Sequence, residues 1–569
     1  MQDCTTTINA ADTLPSSGQD YHTLLDVFDR ACQRYGTRPA FTSLGYSISF
    51  QELERQSRAF AAYLQCHTDL QPGDRIAIQL PNLIQYPVVL FGALRAGLVV
   101  VNTNPLYTTQ EMLHQFSDAG IRALVVLSNL ADKVEKILPR FGIDHLIITD
   151  LGDALPLWRR LLVNTVVRHV KKLVPAYQLP SAISYRQALG LGQGERYQAP
   201  DIDPDDLAIL QYTGGTTGIA KGAMLSHSNL VANVRQVKKA IGGIFDPEGE
   251  IAIAPLPLYH IYSFTVNCMV MMEAGVQVVL IANPRDIPAF VKELKRYRFS
   301  FFTGLNTLFV ALCKNPEFQK LDFSRLKVTL SGGMALTRSA ADSWRAVTGH
   351  GINEGYGLTE TSPVVSLNPP GSAQLGTIGV PMPETEVRLI DDEGAVVPVG
   401  GVGELCVRGP QVMQGYWKQP LETDAVLDAD GWFRTGDVAQ VQDDGYIRIV
   451  DRKKDMIIVS GFNVYPGELE EVIVSHPDVE ECAVVGLPHE VTGEQIKAYV
   501  VSRNAELTVK ELRDYCRERL TAYKVPALVE FRSELPKSNV GKVLRRQLRD
   551  AERQGNGRSN GNGRAQQSS

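Results

Sequence analysis

LQYTGGTTGIAKGAMLSH, Leu210–His227, decides how the rest of the chain is read. A strand-like run breaks into Thr213-Gly214-Gly215-Thr216-Thr217-Gly218, and Lys221 follows, ahead of a helix-like run. Glycines let backbone N–H groups close on phosphate oxygens, threonine hydroxyls add donors, and lysine supplies a compact positive charge. The spacing is not that of a Walker A loop. Two residues separate Gly218 from Lys221, and Gly222 stands where Ser or Thr would be needed for magnesium. A P-loop ATPase is therefore excluded.

On both sides of this stretch helix-like and strand-like segments alternate: LLDVFDRACQRYG, RIAIQL, ALVVLS, then QVVLI and RLKVTLSGG. The pattern predicts layered α/β structure with largely parallel sheets over residues 21–451. Beyond Pro383 short strands with turn signals predict a β-rich subdomain, about 383–451. A mixed α+β pattern restarts at Gly461, so residues 452–552 are expected to form a smaller, mobile C-terminal domain, hinged in the charged run Asp451–Asp455. Residues 1–20 read as an N-terminal extension and 553–569, rich in Gly, Asn and Ser, as a disordered tail.

The chain has 569 residues, 44% hydrophobic and 21% charged, with 57 Lys+Arg against 63 Asp+Glu and a net charge of −6. That composition suits a soluble multidomain protein and argues against general nucleic-acid binding, which needs a basic face. Eight scattered cysteines without a C-x-x-C pair suggest a reduced, cytoplasmic chain with no zinc site, and the first twenty residues carry no secretory pattern. The most apolar windows, Tyr86–Asn102 and Thr265–Ala282, contain Arg95 and Glu273 and are expected to lie in the core rather than in a bilayer. Trp158–Val174 stands apart: five Lys/Arg plus His169 and no acidic residue. A helical wheel places Trp158, Leu162, Val163, Val166, Val167, Val170, Leu173 and Val174 on one half, and Arg160, Asn164, Arg168, Lys171 and Lys172 on the other. Such a helix either meets a membrane surface or packs its valines on the core.

Four further motifs follow in order: PLYHIYSF (Pro257–Phe264), EGYGLTET (Glu354–Thr361), GWFRTGD (Gly431–Asp437) with DRKKDMIIVSGFNVYPGELE (Asp451–Glu470), and LPKSNVGKVLRR (Leu535–Arg546). With YTGGTTGIAKGAMLSH they resemble the signature set of the adenylate-forming superfamily, from about Tyr21 to Asp550. Within it the block Asp430–Gly461 is similar to that of fatty-acyl-CoA synthetases, and NPLYT, NPRDIP and ELPKSNVGK are similar to the bacterial long-chain branch.

The resemblance implies an enzyme that joins a fatty acid to CoA at the expense of ATP, with Mg²⁺, through an acyl-AMP. It implies that Thr213–Lys221 holds the β- and γ-phosphates and that Thr213 and Glu360 bind Mg²⁺. Thr359 would touch the α-phosphate, and Gly332, Gly333, Glu354, Gly355 and Tyr356 would line the adenine. Asp437, helped by Arg452, would accept from the ribose hydroxyls, and Lys542 would serve adenylation. Lys454 would be the hinge, His260 a switch beside the carboxylate, and Ser460–Tyr465 the CoA stretch. Taken singly, Glu360 reads equally as a helix-start residue, His260 as a structural imidazole, Arg452 and Lys542 as surface charges. Acyl-tunnel candidates are Tyr259, Tyr262, Phe264, Val266, Asn267 and Thr303–Phe309, all equally good as core. A long-chain fatty acid, ATP and CoA are the expected partners, and a homodimer is common in the resembling family. The expected location is cytoplasmic, peripheral on the inner face of the cytoplasmic membrane through Trp158–Val174. The rival readings are an acyl-AMP ligase loading a carrier protein, a medium-chain or aryl-CoA ligase, and a catalytically disabled lipid sensor.

Overall fold

The strand Leu207–Thr213 lies inside an eight-stranded sheet of a computed structural model that describes residues 8–9, 21–213, 220–245, 249–460, 462–489, 492–537 and 543–559. The strand pairs in parallel with Val99–Asn102, and the parallel order continues through Arg75–Gln79, Ile121–Leu127, His145–Thr149 and Ile183–Ser184. On its other side the ladder turns antiparallel, through Lys221–Ser226 and then Gly415–Tyr416. A second sheet, of nine strands, is centred on Ile251–Ala254, Phe301–Gly304, Val328–Ser331 and Asn353–Gly357, all parallel. Both sheets are the α/β layers that the alternating pattern predicts.

The helix Gln85–Arg95 is buried along its whole length, as a helix apolar on all sides must be. Its Tyr86 hydroxyl donates to Asn102 Oδ1 (2.7 Å) in the eight-stranded sheet and to the Leu258 carbonyl (3.0 Å) after the strand Ile251–Ala254. Arg95, the charge inside the first apolar window, is 2% exposed. Its guanidinium pairs with Asp29 and with Glu54 at 3.4 Å, and lies 5.2 Å from the Phe28 ring centroid. The second window is equally internal: Phe264–Val270 forms a buried π-helical turn. Among the described residues no helix is long and apolar enough to cross a membrane.

By internal contacts the chain falls into two compact units, one made of Ile8–Val387 and Val407–Phe433, the other of Arg388–Cys406 and the chain from Arg434 onward. The β-rich stretch after Pro383 is thus divided between them, and residue 451 lies inside the smaller unit. Within that unit Val479–His489 and Gly493–Ser502 form a long antiparallel pair. Leu528–Phe531 adds in parallel to Gly493–Ser502. Helices Pro466–Val474 and Val509–Arg517 bury Leu469, Ile473, Leu512 and Cys516 in one core cluster, while Leu548 of the helix Arg545–Ser559 joins Leu535 and Tyr499 in another. That helix enters the Gly/Asn-rich stretch 553–569. From the N-terminal extension, Ile8–Asn9 pairs antiparallel with Glu386–Val387.

The sequence pattern and the structure part at one place near the site. Lys221–Ser226 is a strand, and the helix starts only at His227. Cross-strand pairing with Leu207–Thr213 overrides the helix-like spacing.

The core of the nine-stranded layer is aromatic. Trp344 is fully buried, donates from Nε1 to Thr329 Oγ1 (3.1 Å), and meets the rings of Phe309, Phe302 and Phe318 at centroid distances of 4.9, 5.1 and 5.6 Å. Replacing Trp344 with Ala removes those contacts and leaves a void beside Thr329. We expect a loss of about 3–5 kcal/mol, read as a lowered urea midpoint of the larger unit's transition. An unchanged midpoint would show that this cluster does not carry the layer's stability.

Candidate active site

Thr213 ends its strand directly opposite Lys221, the first residue of the next one. Gly214, Gly215, Thr216, Thr217 and Gly218, between them, lie outside the described residues. Strand Gly415–Tyr416 adds to the same ladder, with Ala223 facing Tyr416 and the Trp417 N–H donating to the Gly222 carbonyl (2.8 Å). That addition brings Tyr416 between two of the expected phosphate and metal residues. Its ring centroid lies 5.0 Å from Lys221 Nζ, and its hydroxyl donates to Glu360 Oε1 at 2.8 Å. Burial and the adjoining Glu360 carboxylate push the Tyr416 phenol well above its ordinary value. Lys221 itself is ion-paired with Glu422, from the helix Pro420–Asp424.

Glu360 stands in the turn Thr359–Thr361, which packs against both strands of the hairpin. The turn is held by Leu358 N–H to the Pro363 carbonyl (3.1 Å) and by the Thr361 hydroxyl donating to that carbonyl (2.6 Å). A Cβ on Gly357 would come within 1.9 Å of the same oxygen, so only glycine allows this approach.

Beside this group the ends of two parallel strands meet. Ser331 pairs with Glu354, which places Gly332-Gly333 alongside Gly355-Tyr356. Gly333 has φ +83°, a left-handed conformation, and a Cβ on Gly332 would stand 3.3 Å from the Gly355 carbonyl and 3.4 Å from the Tyr262 ring. The Tyr262 hydroxyl is buried with no hydrogen-bond partner among the described residues. Glu354 is buried, and its carboxylate accepts from the Leu336 N–H at 3.1 Å. Desolvation pushes its carboxyl up to about 7. His260 accepts from the Tyr262 N–H through Nδ1 (3.3 Å), and burial pushes it down to about 4, so the ring is neutral at pH 7.

Several tunnel candidates belong to the packed interior. Asn267 donates to Ser263 Oγ (2.9 Å) and Thr303 Oγ1 (3.0 Å), and Phe309 is part of the Trp344 cluster.

The smaller unit carries the remaining expected residues. Asp437 faces Arg452 across the antiparallel pair Phe433–Val441 and Ile447–Arg452, and the two form an ion pair at 2.9 Å with Asp437 buried. Lys454 lies in the turn Lys453–Asp455, where its neighbour Lys453 is paired with Asp392 (2.9 Å) and Glu404 (3.3 Å). Lys542 lies outside the described residues, as does Gly461 in the expected CoA stretch.

The donor set suits a hard divalent cation bound together with phosphates. Glu360 and the Thr213 hydroxyl would offer it oxygen donors, the type a hard cation takes. Tyr416 and Glu422 escaped the sequence reading. Their signal is present in GYWKQPLE (Gly415–Glu422), where a Tyr and a Glu follow a glycine, but only the strand pairing aims them at Lys221 and Glu360.

Residues 28–417 match the family model for AMP-binding enzymes, and residues 468–542 match the model for the C-terminal domain of such enzymes. The chain belongs to the AMP-binding enzyme family. It is 52% identical to a long-chain-fatty-acid–CoA ligase of Escherichia coli O6:H1 over 94% of this chain and 95% of that protein. A 4-coumarate–CoA ligase of Pinus taeda is 32% identical over 95% of this chain and 96% of its own. Among solved structures, ATP-bound MatB from Rhodopseudomonas palustris superposes with a TM-score of 0.81 at 29% identity, covering 92% of this chain and 98% of that one.

The Glu354 shift carries a sign. Burial raises its carboxyl to about 7 in the folded protein, from about 4.5 for a free glutamate, so the stability gained from the folded protein's retained proton is complete below pH 4.5 and is lost as pH rises through 7. The span corresponds to about 3 kcal/mol. Glu354→Gln keeps an acceptor for the Leu336 N–H and has no proton to lose. Urea midpoints between pH 5 and 8 should fall with pH in the parent and fall less in the variant; parallel profiles would refute the shift.

Proposed function

We propose that this chain activates long-chain fatty acids with ATP and Mg²⁺ and transfers the acyl group to CoA, giving acyl-CoA, AMP and pyrophosphate. The observation that carries the reading is the 52% identity, over nearly the full length of both chains, to a ligase of that name, together with five ordered motifs.

The chemistry needs cations and oriented donors more than a side-chain nucleophile. The fatty-acid carboxylate attacks the α-phosphorus of ATP, an O–P bond forms, and pyrophosphate leaves. The CoA thiolate then attacks the acyl carbonyl carbon, forming the C–S bond and releasing AMP. Both transition states gather negative charge on oxygen. In this reading Lys221 and the Thr213–Gly218 run hold the β- and γ-phosphates, Thr359 touches the α-phosphate, and Thr213 and Glu360 hold Mg²⁺, which when bound neutralises phosphate charge. Tyr416 orients Glu360 through its hydroxyl. Gly332, Gly333, Glu354, Gly355 and Tyr356 take the adenine; flat glycine backbone leaves room for a ring, and a neutral Glu354 can donate. Asp437, oriented by Arg452, accepts from the ribose. His260, neutral at pH 7, adds no charge beside the carboxylate. Lys542 offsets the charge of two anions brought together, and Lys454 is the hinge between the half-reactions. The acid reaches the enzyme at a membrane surface, through the segment Trp158–Val174.

Pyrophosphate release with an acid series from short to long chain, with and without CoA, tests the assignment. Release that depends on a long-chain acid, and acyl-CoA formed only with CoA present, is the expected result. Adenylate without acyl-CoA would move the assignment to carrier-protein loading, and a preference for aryl acids to the aryl-CoA branch. Lys542→Ala should lower acyl-AMP formation on the order of 100-fold or more while conversion of supplied acyl-AMP to thioester continues; equal loss of both steps would refute its role.

Glu422 competes with phosphate for Lys221. Glu422→Gln removes the competitor, so KM for ATP should fall about two- to fivefold, the range of a half-exposed ion pair, with kcat little changed. A raised KM would instead make Glu422 the residue that orients Lys221.

A further inference from the structure

We infer that the segment from Leu157 to Leu173 is a docking surface for an anionic lipid bilayer, seated on the protein by polar anchors and three valines, with its leucines and Trp158 turned outward. This deepens the membrane contact named above and rests, for its use, on the ligase reading.

The helix Leu157–Thr165 contains no buried residue, and the π-helical turn Val166–Val170 that continues it contains one, Val167. The side that faces the protein is mixed: Val163, Val166 and Val167 turn inward, part-buried or buried, beside a set of polar anchors. Asn164 accepts from the Gly152 N–H (2.8 Å) and donates to Asp153 Oδ1 (3.1 Å). Arg168 pairs with Asp150 at 3.0 Å, and Arg159 donates to the carbonyls of Leu44 and Gly45. The segment's end is held by Asn129, which donates to the Leu173 carbonyl (3.0 Å). Two residues assigned by the helical wheel to the solvent half, Asn164 and Arg168, therefore face inward, because Asp150, Asp153 and the Gly152 amide offer them partners.

The leucines, Trp158 and Val170 have no such partner. Leu157, Trp158, Leu161, Leu162, Val170 and Leu173 are 53–71% exposed, six of the eighteen large apolar side chains that stand exposed among the described residues, gathered in seventeen positions. The valines Val163, Val166 and Val167 pack inward, as a surface helix would have them, but the leucines and Trp158 do not. An ordinary monomer scatters such residues; gathered, they mark an interface. Charge selects the occupant. From Trp158 to Val174 there is no carboxylate, and Arg160, Lys171 and Lys172 form no ion pair among the described residues. Leucines and a tryptophan flanked by unpaired cations match a bilayer with anionic headgroups: the apolar residues enter the acyl boundary while the cations stay with phosphate.

The test is flotation of the full chain, without ATP or acid, on vesicles of phosphatidylglycerol and phosphatidylcholine and on phosphatidylcholine alone. Binding should favour the anionic vesicles and weaken with salt. Lys171→Gln with Lys172→Gln should lower it roughly thirtyfold, about fivefold per lysine, and Leu161→Glu with Leu162→Glu should abolish it. All four side chains are exposed, so both variants should melt like the parent. Absence of parental binding, or equal binding of both variants, overturns the inference. So does a parental dimer that Leu161→Glu/Leu162→Glu turns monomeric with no change on vesicles, which would assign the patch to a second copy of the chain. Pyrophosphate release with a soluble short- or medium-chain acid is the parallel control and should match the parent in both variants. If the parent itself releases none with any acid, the ligase reading fails while the vesicle result stands.

Discussion

The pairing of Thr213 with Lys221 across one antiparallel step is the constraint on which the site depends. A lysine is useful at a phosphate only if its ammonium is positioned before the anion arrives, since ordering it later costs rotamer entropy. Here the strand fixes the lysine's backbone, the Tyr416 ring lies against its ammonium, and Glu422 balances its charge. The same tyrosine reaches Glu360. One aromatic side chain thus stands in contact with both a lysine ammonium and a buried carboxylate.

What the sequence disclosed and what it hid follow from range. The α/β alternation, the buried windows and the order of the motifs are local patterns, and the structure carries them. Strand Lys221–Ser226 was hidden because six residues with helix-compatible spacing are governed by their neighbour Leu207–Thr213. Tyr416 and Glu422 were hidden because their meaning depends on a strand addition about two hundred residues along the chain from Lys221. Arg95 shows the same limit from the other side. A single charge in an apolar run reads only as evidence against a membrane span, whereas its pairing with Asp29 and Glu54 and its contact with Phe28 explain how it is tolerated at 2% exposure.

Two helices show why composition alone cannot orient a helix. Gln85–Arg95 is apolar on every side, so any orientation buries it, and it is buried. Leu157–Thr165 has a polar and an apolar half, and amphipathicity sets only that the halves differ. Which residues turn inward is decided by what the protein offers beneath them. Asp150, Asp153 and the free amide of Gly152 are polar partners whose burial without hydrogen bonds would be costly, and Asn164 and Arg168 satisfy them.

A related argument bears on the proposed hinge. Asp451 and Asp455 stand on either side of Lys454, and Arg545 reaches both from Nη1 at 3.4 Å while its Nη2 holds Glu470 at 2.5 Å. Arg549 adds a second bond to Asp455 at 2.9 Å, and the Gly467 N–H donates to Asp451. Burial alone would raise the Asp451 carboxyl, and it does so despite the arginine, which marks this as a desolvated cluster rather than a surface ion pair. A torsional change that parts Asp451 from Asp455 must break one of Arg545's bridges, while Asp455 keeps Arg549 and Asp451 keeps the Gly467 N–H. Arg545 also lies three residues past Lys542, on a segment whose other end is tied by Lys537 to Glu481. The clasp thus ties the turn Lys453–Asp455 to the helix Arg545–Ser559 within one unit.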